Sequence, residues 1–200
     1  MKLKKWEIAL IAALVITILC GAALSKEDAD LSEKLIRLHV VANSDTDDDQ
    51  ALKLKVRDTI LGSVADLLDG VTDRDAAVSI IQERLPEIIA NAKQTVTANG
   101  YSYDVTATIG PEDFPTRVYD SFSLPAGTYM SLRVIIGAGA GHNWWCVIFP
   151  PLCTSAAVDF SKMTNLTDDE IQLISSDKPE YVLKFKSIEL INKVRAWLGI

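Results

Sequence analysis

The sequence has few of the residues that metal sites and catalytic centres need. It contains two histidines and three cysteines in 200 residues, and none of them stands in a C-x-x-C or H-x-x-x-H arrangement, the spacings typical of zinc ligands. The G-x-S-x-G turn, which carries the nucleophile of many hydrolases, is also absent. We therefore expect no metal and no other cofactor.

Clustered basic residues are lacking as well. The chain has 27 acidic and 20 basic residues and a net charge of −7. Residues 1–24 contain three lysines and one glutamate, so the charge of the remainder falls from −7 to −9. Because nucleic acids are bound by clustered Lys and Arg, this composition excludes nucleic-acid binding. With no internal repeat and no low-complexity linker, residues after 24 are expected to form one domain.

The first 24 residues have the pattern of an export signal. Lys2, Lys4 and Lys5 precede an uncharged apolar run over 8–24, and polar residues follow at once. As a helix this run spans roughly 25 Å, slightly less than the ~30 Å hydrocarbon core, so a cleaved signal peptide and a retained membrane anchor both stay open. Small residues at 21–23 favour cleavage. The lysines on the N-terminal side place the rest of the chain outside the cytoplasm.

Hydrophobic periodicity predicts two helices after a first strand. An apolar, β-branched run over 35–42 indicates a central strand. Acidic residues then predict a helix that begins near Asp47, with apolar residues recurring every four positions from Leu52 to Leu68. Gly70 ends this helix, the segment Thr72-Asp73-Arg74-Asp75 caps a second one, and Pro86 is expected to kink or interrupt that second helix.

The remainder of the chain reads mainly as strands. Alternation over 101–109 predicts a half-buried strand that breaks at Gly110-Pro111, and further strands are expected at 116–122, 128–136 and 144–149. An amphipathic helix is expected at 187–198. The order β-α-α-β-β-β-β-α predicts an α+β domain, with a mixed or antiparallel sheet of about five strands and helices packed mainly on one face.

Unusual side chains are concentrated between Gly137 and Cys153. A phosphate-binding loop requires a helix after its glycines, whereas a strand pattern follows here, so residues 137–141 are expected to form a flexible hairpin loop. Trp144 and Trp145 are adjacent in a strand and point to opposite faces, so one can fill the core. The other is either a candidate anchor for a partner or is covered by the C-terminal helix.

Cys146 and Cys153 admit three interpretations. They form a disulfide, they are two buried thiols, or Cys146 is a nucleophile paired with His39 or His142. His39 itself, between two apolar residues, is expected to be a hydrogen-bonded sheet residue.

Several segments together resemble the motifs of the stage II sporulation protein R family. Leu35-Ile36-Arg37-Leu38-His39-Val40-Val41-Ala42-Asn43-Ser44-Asp45 and the following 49–58 resemble its opening motif, and segments 114–117, 124–127, 132–137 and 143–153 resemble later motifs in the same order. The resemblance covers 33–153. It leaves residues 1–24 as signal or anchor and residues 154–200 as an unmatched C-terminal extension that ends in the amphipathic helix.

The resemblance implies a signalling role without an enzymatic activity of its own. Such a protein is made in the forespore, is exported to the space between two membranes, and activates a membrane-embedded aspartic protease of the mother cell, which cleaves the sigma-E precursor. We expect no small-molecule substrate, and membrane contact only through 8–24. The candidate partner-binding residues are His39, Asn43, Asp45, His142, Asn143, Trp144 and Trp145. The alternative is an extracytoplasmic enzyme that uses Cys146 with His39 or His142.

Overall fold

The computed structural model describes residues 31–119 and 122–152, together with the isolated positions Lys4, Ile11, Leu166, Thr167, Ile171 and Ile174. In chain order the elements are β1 (Ile36–Val41), α1 (Asp47–Leu67), α2 (Arg74–Ala98), β2 (Val105–Phe114), β3 (Arg117–Val118), β4 (Ser123–Leu124), β5 (Gly127–Ile136) and β6 (Asn143–Phe149). The expected export helix and the expected helix at 187–198 lie outside the described residues. Within the described part, no helix is both long enough and apolar enough to cross a membrane.

The main sheet contains four strands in the order β2-β5-β1-β6. Strand β1 pairs in parallel with β5 and antiparallel with β6, and β2 pairs antiparallel with β5. The predicted α+β class with a mixed sheet is thus confirmed, but the main sheet has four strands instead of about five. In the described part of the segment predicted as a strand over 116–122, only Arg117–Val118 form a strand, β3. Tyr119 N donates to Phe122 O at 2.7 Å, and β3 pairs antiparallel with β4.

Both helices begin where capping residues stand. The Thr46 hydroxyl accepts a hydrogen bond from Asp49 N at 3.3 Å, and three aspartates occupy the first turn of α1, where they interact favourably with the helix dipole. The Asp73 carboxylate accepts from Ala76 N at 2.8 Å at the start of α2. The predicted helix start at Asp47 and the predicted cap in the segment 72–75 are confirmed.

Two prolines that were expected to interrupt elements lie inside them. Helix α2 runs through Pro86, which is exposed, so the missing backbone donor lies on the side of the helix that faces water. Strand β2 runs through Pro111 to Phe114 and begins at Val105, not at Tyr101. It is the edge strand of the described sheet. On the open edge of such a strand a proline removes no hydrogen bond to a neighbouring strand. Of the kink or interruption predicted at Pro86, the interruption is wrong, and the strand break predicted at Gly110-Pro111 is also wrong.

The sheet separates two apolar clusters. One face packs against α1 and α2 through residues that include Leu38, Val40, Leu132, Val134 and Cys146. The opposite face carries a second cluster near one end, formed with Phe114, Phe122, Leu124, Tyr129 and Val147 among others. Both described helices therefore cover the same face, as predicted, and part of the other face is left to polar side chains.

Candidate functional site

The loop between β5 and β6, residues 137–142, lies against residues 42–45, which connect β1 to α1. Ala140 N donates to Asn43 O at 3.1 Å, and Gly141 N donates to Ala42 O at 3.0 Å. The side chain of Asn43 accepts from Ala138 N at 2.9 Å. We call residues 42–45 and 137–142 the corner. The expectation of a flexible hairpin loop is corrected here, because these hydrogen bonds fix the loop to the start of α1.

Glycines make this close approach feasible. Gly137 and Gly139 have φ values of 57° and 61°, a backbone region that residues with a Cβ rarely adopt. At Gly141 a Cβ atom would lie 2.2 Å from the backbone oxygen of Ser44. The glycines therefore serve a tight turn and a backbone contact, and not a phosphate-binding loop. The predicted hairpin is wrong, because β1 lies between β5 and β6 in the sheet.

Two buried charges support the corner from α1. Asp49, only 4% exposed, accepts hydrogen bonds from Ser44 Oγ at 2.5 Å and from Asn43 Nδ2 at 2.8 Å. The hydrogen bond from Ser44 is the main reason that the pKa of Asp49 is lowered from its ordinary value. Lys53 donates to Gln50 Oε1 at 2.5 Å and to His142 O at 2.9 Å, and its burial lowers its pKa.

Asp45 and His142 form a surface pair at the corner. One carboxylate oxygen of Asp45 accepts from His142 N at 2.5 Å and also contacts His142 Nδ1. Both side chains are more than half exposed. Two of the predicted partner-binding residues thus meet although they are 97 positions apart.

His39 lies on the sheet face opposite the helices and joins three strands. Its Nδ1 is 2.8 Å from Glu112 Oε1 on β2, and its Nε2 is 2.9 Å from Asn143 Oδ1 on β6. The imidazole stacks on Trp145 with ring centroids 5.6 Å apart and meets the edge of Phe114 at 6.2 Å. His39 is 7% exposed, so both ring nitrogens are used inside the protein. This agrees with the expectation of a hydrogen-bonded sheet residue.

The two neighbouring tryptophans have different environments. Trp144 is 37% exposed, and the guanidinium of Arg57 on α1 lies 4.3 Å from its ring centroid. Trp145 is half-buried on the other side of the sheet, between His39 and the guanidinium of Arg117, which lies 3.6 Å from the indole centroid. The predicted division between the two faces is confirmed.

Cys146 is not placed to act with His39. It is fully buried in the cluster on the helix side and pairs with Leu38, whereas His39, the next residue of β1, points to the opposite face. His142 is exposed and contacts Asp45. Cys153 lies outside the described residues, so its pairing with Cys146 stays a prediction. In the part of the chain that is described, no three His, Cys, Asp or Glu residues form a group able to hold a metal ion.

Sequence reasoning missed the three charged residues around His39 and Trp145. Glu112 lies in β2 beyond the predicted strand break, and Arg117 lies in β3, which is shorter than the predicted strand. Their contacts, to His39 and Trp145, are with residues far away in the sequence. Arg133 follows from alternation, because it stands between the buried Leu132 and Val134 on β5 and so must point away from the helices. Strand alternation was the one available signal for this face.

The described residues form an α+β unit whose grouped polar and aromatic side chains lie on the sheet face opposite the helices and at the corner beside it. The family model described as stage II sporulation protein R matches residues 32–159. Stage II sporulation protein R of Bacillus subtilis (strain 168) is 36% identical over 154 residues, which make up 77% of this chain and 67% of that protein. The chain belongs to the stage II sporulation protein R family. No solved structure matches it.

Proposed function

We propose that this chain is an exported signalling protein of endospore formation that activates a membrane-embedded aspartic protease, which then cleaves the sigma-E precursor. Membership of the stage II sporulation protein R family carries the proposal. The export-signal pattern of residues 1–24 supports it, because a signal exported by one cell can reach a receptor in the membrane of another. We assign the cleavage to the partner and no bond-breaking step to this chain.

The geometry is consistent with docking through the corner and the adjoining start of β6. Asn43, Asp45 and His142 meet at the corner, and Asn143 joins it to His39. Trp144 follows directly and is half-exposed. Tryptophan is enriched among the residues that dominate binding energy at interfaces, so an exposed indole beside a rigid loop fits a docking role.

Co-expression of three proteins tests the proposal. The full chain, the presumed protease and the sigma-E precursor are produced together in a non-sporulating host, and processing is followed on a gel. We expect cleavage only when all three are present. Cleavage without this chain, or cleavage by this chain in the absence of the protease, contradicts the proposal.

Replacing the tryptophans tests the docking surface. Trp144→Ala is expected to stop processing while the free energy of unfolding changes by less than about 1 kcal/mol, because the side chain is partly exposed. Leu54→Ala is the matched control, since Leu54 is 36% exposed on α1 and lies outside the corner. If Trp144→Ala and Trp145→Ala both fold and both permit full processing, the β6 tryptophans serve only the scaffold.

Export is part of the proposal and has its own test. A variant without residues 2–24 is expected to accumulate in the forespore and to leave the precursor in the mother cell uncleaved. The full chain produced at the same level is the control. Normal processing with the truncated variant would show that transfer across the membrane is unnecessary.

Export also favours a disulfide between Cys146 and Cys153, which we propose as part of the exported form.

A further inference from the structure

Among the described residues, the sheet face opposite the helices carries more positive than negative charge, although the protein as a whole is acidic. We call this surface the arginine face and define it by Arg37, His39, Glu112, Arg117, Arg133 and Trp145. Arg133 and Trp145 flank His39 on the two neighbouring strands, and Arg117 stacks on Trp145. Among these six residues Glu112 is the one carboxylate, against three guanidinium groups.

The arginines of this face differ from the helix arginines in their partners. Arg57, Arg74 and Arg84 each lie 2.7–3.2 Å from the carboxylate of an acidic neighbour. Arg133 Nε, by contrast, is 3.8 Å from a Glu112 oxygen that His39 already contacts at 2.8 Å. Arg117 has no ion pair in the described part of the chain, and its buried Nε has no hydrogen-bond partner there. Among the residues that the structure describes, the positive charges of the arginine face are therefore poorly neutralised.

Arg37 adds a buried positive charge beneath the same face. Its side chain is fully buried, with the guanidinium 3.9 Å from the Phe114 centroid and 4.9 Å from the Tyr129 centroid. Its hydrogen-bond partner is the neutral hydroxyl of Tyr119 at 2.8 Å, and Nε and Nη1 have no partner in the residues that the structure describes. A guanidinium stays protonated in proteins, and a buried charge is screened less than an exposed one.

We propose that the arginine face binds an acidic segment of the protein that this chain activates, and that carboxylates of this segment pair with Arg117 and Arg133. The inference rests on the proposed function, because it names the chemistry of the partner. Guanidinium groups pair with carboxylates through two parallel hydrogen bonds, and the Arg133 side chain, which is 48% exposed, is accessible to such a pair. The hydrogen bonds of His39 to Glu112 and Asn143 position Trp145, which in turn holds Arg117.

Charge-neutralising variants of the full chain test this assignment. Arg133→Gln and Arg117→Gln are compared with Arg84→Gln, which removes the same charge from an arginine of similar exposure on α2. Binding to the protease is measured at low and high salt, and precursor processing is measured by co-expression. Each arginine-face variant is expected to lose about fivefold in affinity at low salt, whereas Arg84→Gln binds as the unaltered chain does. The loss is expected to shrink as salt rises.

The folding of each variant is measured separately from its binding to the protease and its effect on precursor processing. The Arg133 side chain is 48% exposed, so Arg133→Gln is expected to fold normally even if Arg117→Gln, which loses its stacking on Trp145, does not. If both variants fold, bind and process as the unaltered chain does, or if all three arginine variants weaken binding equally, the arginine face is not the recognition surface. If the unaltered chain itself fails to trigger processing, the proposed function fails first, and that result is visible without any variant.

Discussion

Single residues fix the corner through contacts that span most of the described chain. Asn43 meets Ala138 across 95 positions, and Asp45 meets His142 across 97. Gly141 is required because its backbone lies so close to the backbone of Ser44 that a side chain would not fit. These contacts couple the connection between β1 and α1 to the loop between β5 and β6.

The first prediction concerns Gly141→Ala. The added Cβ would lie 2.2 Å from the Ser44 backbone oxygen, so the loop must shift. We expect the free energy of unfolding in urea to fall by about 1–3 kcal/mol. Gly62→Ala is the control, because nothing lies within 4 Å of its added Cβ and it stands within α1. The control is expected to raise stability by roughly 0.5–1 kcal/mol. Equal effects of both variants would contradict the close contact.

The second prediction concerns acid stability and Ser44. Folding lowers the pKa of Asp49, chiefly through the Ser44 hydrogen bond, so the unfolded chain takes up the proton at a higher pH than the folded chain. The stability from this carboxylate is complete above its ordinary pKa of 3.8 and is lost as the pH falls from there through the lowered value. Ser44→Ala is expected to cost about 1–3 kcal/mol at pH 7 and progressively less below pH 4.

Unfolding in urea from pH 7 down to pH 2 checks this prediction. Ser79→Ala is the matched control, because the Ser79 hydroxyl donates to a backbone oxygen on the exposed side of α2 and contacts no carboxylate. A constant difference between Ser44→Ala and the unaltered chain over the whole pH range would show that Asp49 does not respond to Ser44.

At the scale of secondary-structure elements, apolar packing keeps helix α2 continuous although it contains a proline. Helix α2 continues through Pro86 because Ile81, Ile88, Ala92 and Val96 keep one side of it buried against the sheet and α1. The apolar stripe thus stabilises a helix that local propensity alone would divide.

The third prediction follows from the same helix. Pro86→Ala restores a backbone donor within an exposed turn and removes the clash of the ring with the preceding turn. We expect stability to rise by roughly 1–3 kcal/mol, measured as a higher urea midpoint. Gln82→Ala, another exposed change in α2, is expected to stay within about 0.5 kcal/mol of the unaltered chain. A loss of stability in Pro86→Ala would mean that α2 depends on the proline.

At the scale of the whole molecule, charge is distributed unevenly. The chain carries −7 overall, yet the arginine face combines three guanidinium groups with one carboxylate, while the helix arginines are paired with acidic neighbours. Such an asymmetry affects the rate and the orientation with which a charged partner approaches.

The fourth prediction concerns the redox state of the exported chain. If Cys146 and Cys153 are bonded, the purified, unreduced chain that retains residues 1–24 has one thiol, Cys20, that reacts under denaturing conditions, and complete reduction raises the number to the three that the sequence contains. Cys146→Ser and Cys153→Ser should then each leave two reactive thiols before reduction. Three reactive thiols in the unreduced chain would exclude the disulfide.

Periodicity and capping in the sequence identified most elements at nearly their observed bounds. The strand expected at 128–136 is Gly127–Ile136, the one expected at 144–149 is Asn143–Phe149, and α1 begins at Asp47 as expected. Alternation also placed Trp144 and Trp145 on opposite faces. These features depend on backbone geometry within a few residues, so the sequence by itself determined them.

Only the tertiary structure decided which side chains meet. The order β2-β5-β1-β6 brings Glu112 and Asn143 to His39 from opposite sides, and Arg117 at the start of β3 lies on Trp145. Strand order and register depend on the summed packing of residues up to about a hundred positions apart, and no local pattern encodes that sum. The arginine face and the fixed corner are therefore properties of the folded chain.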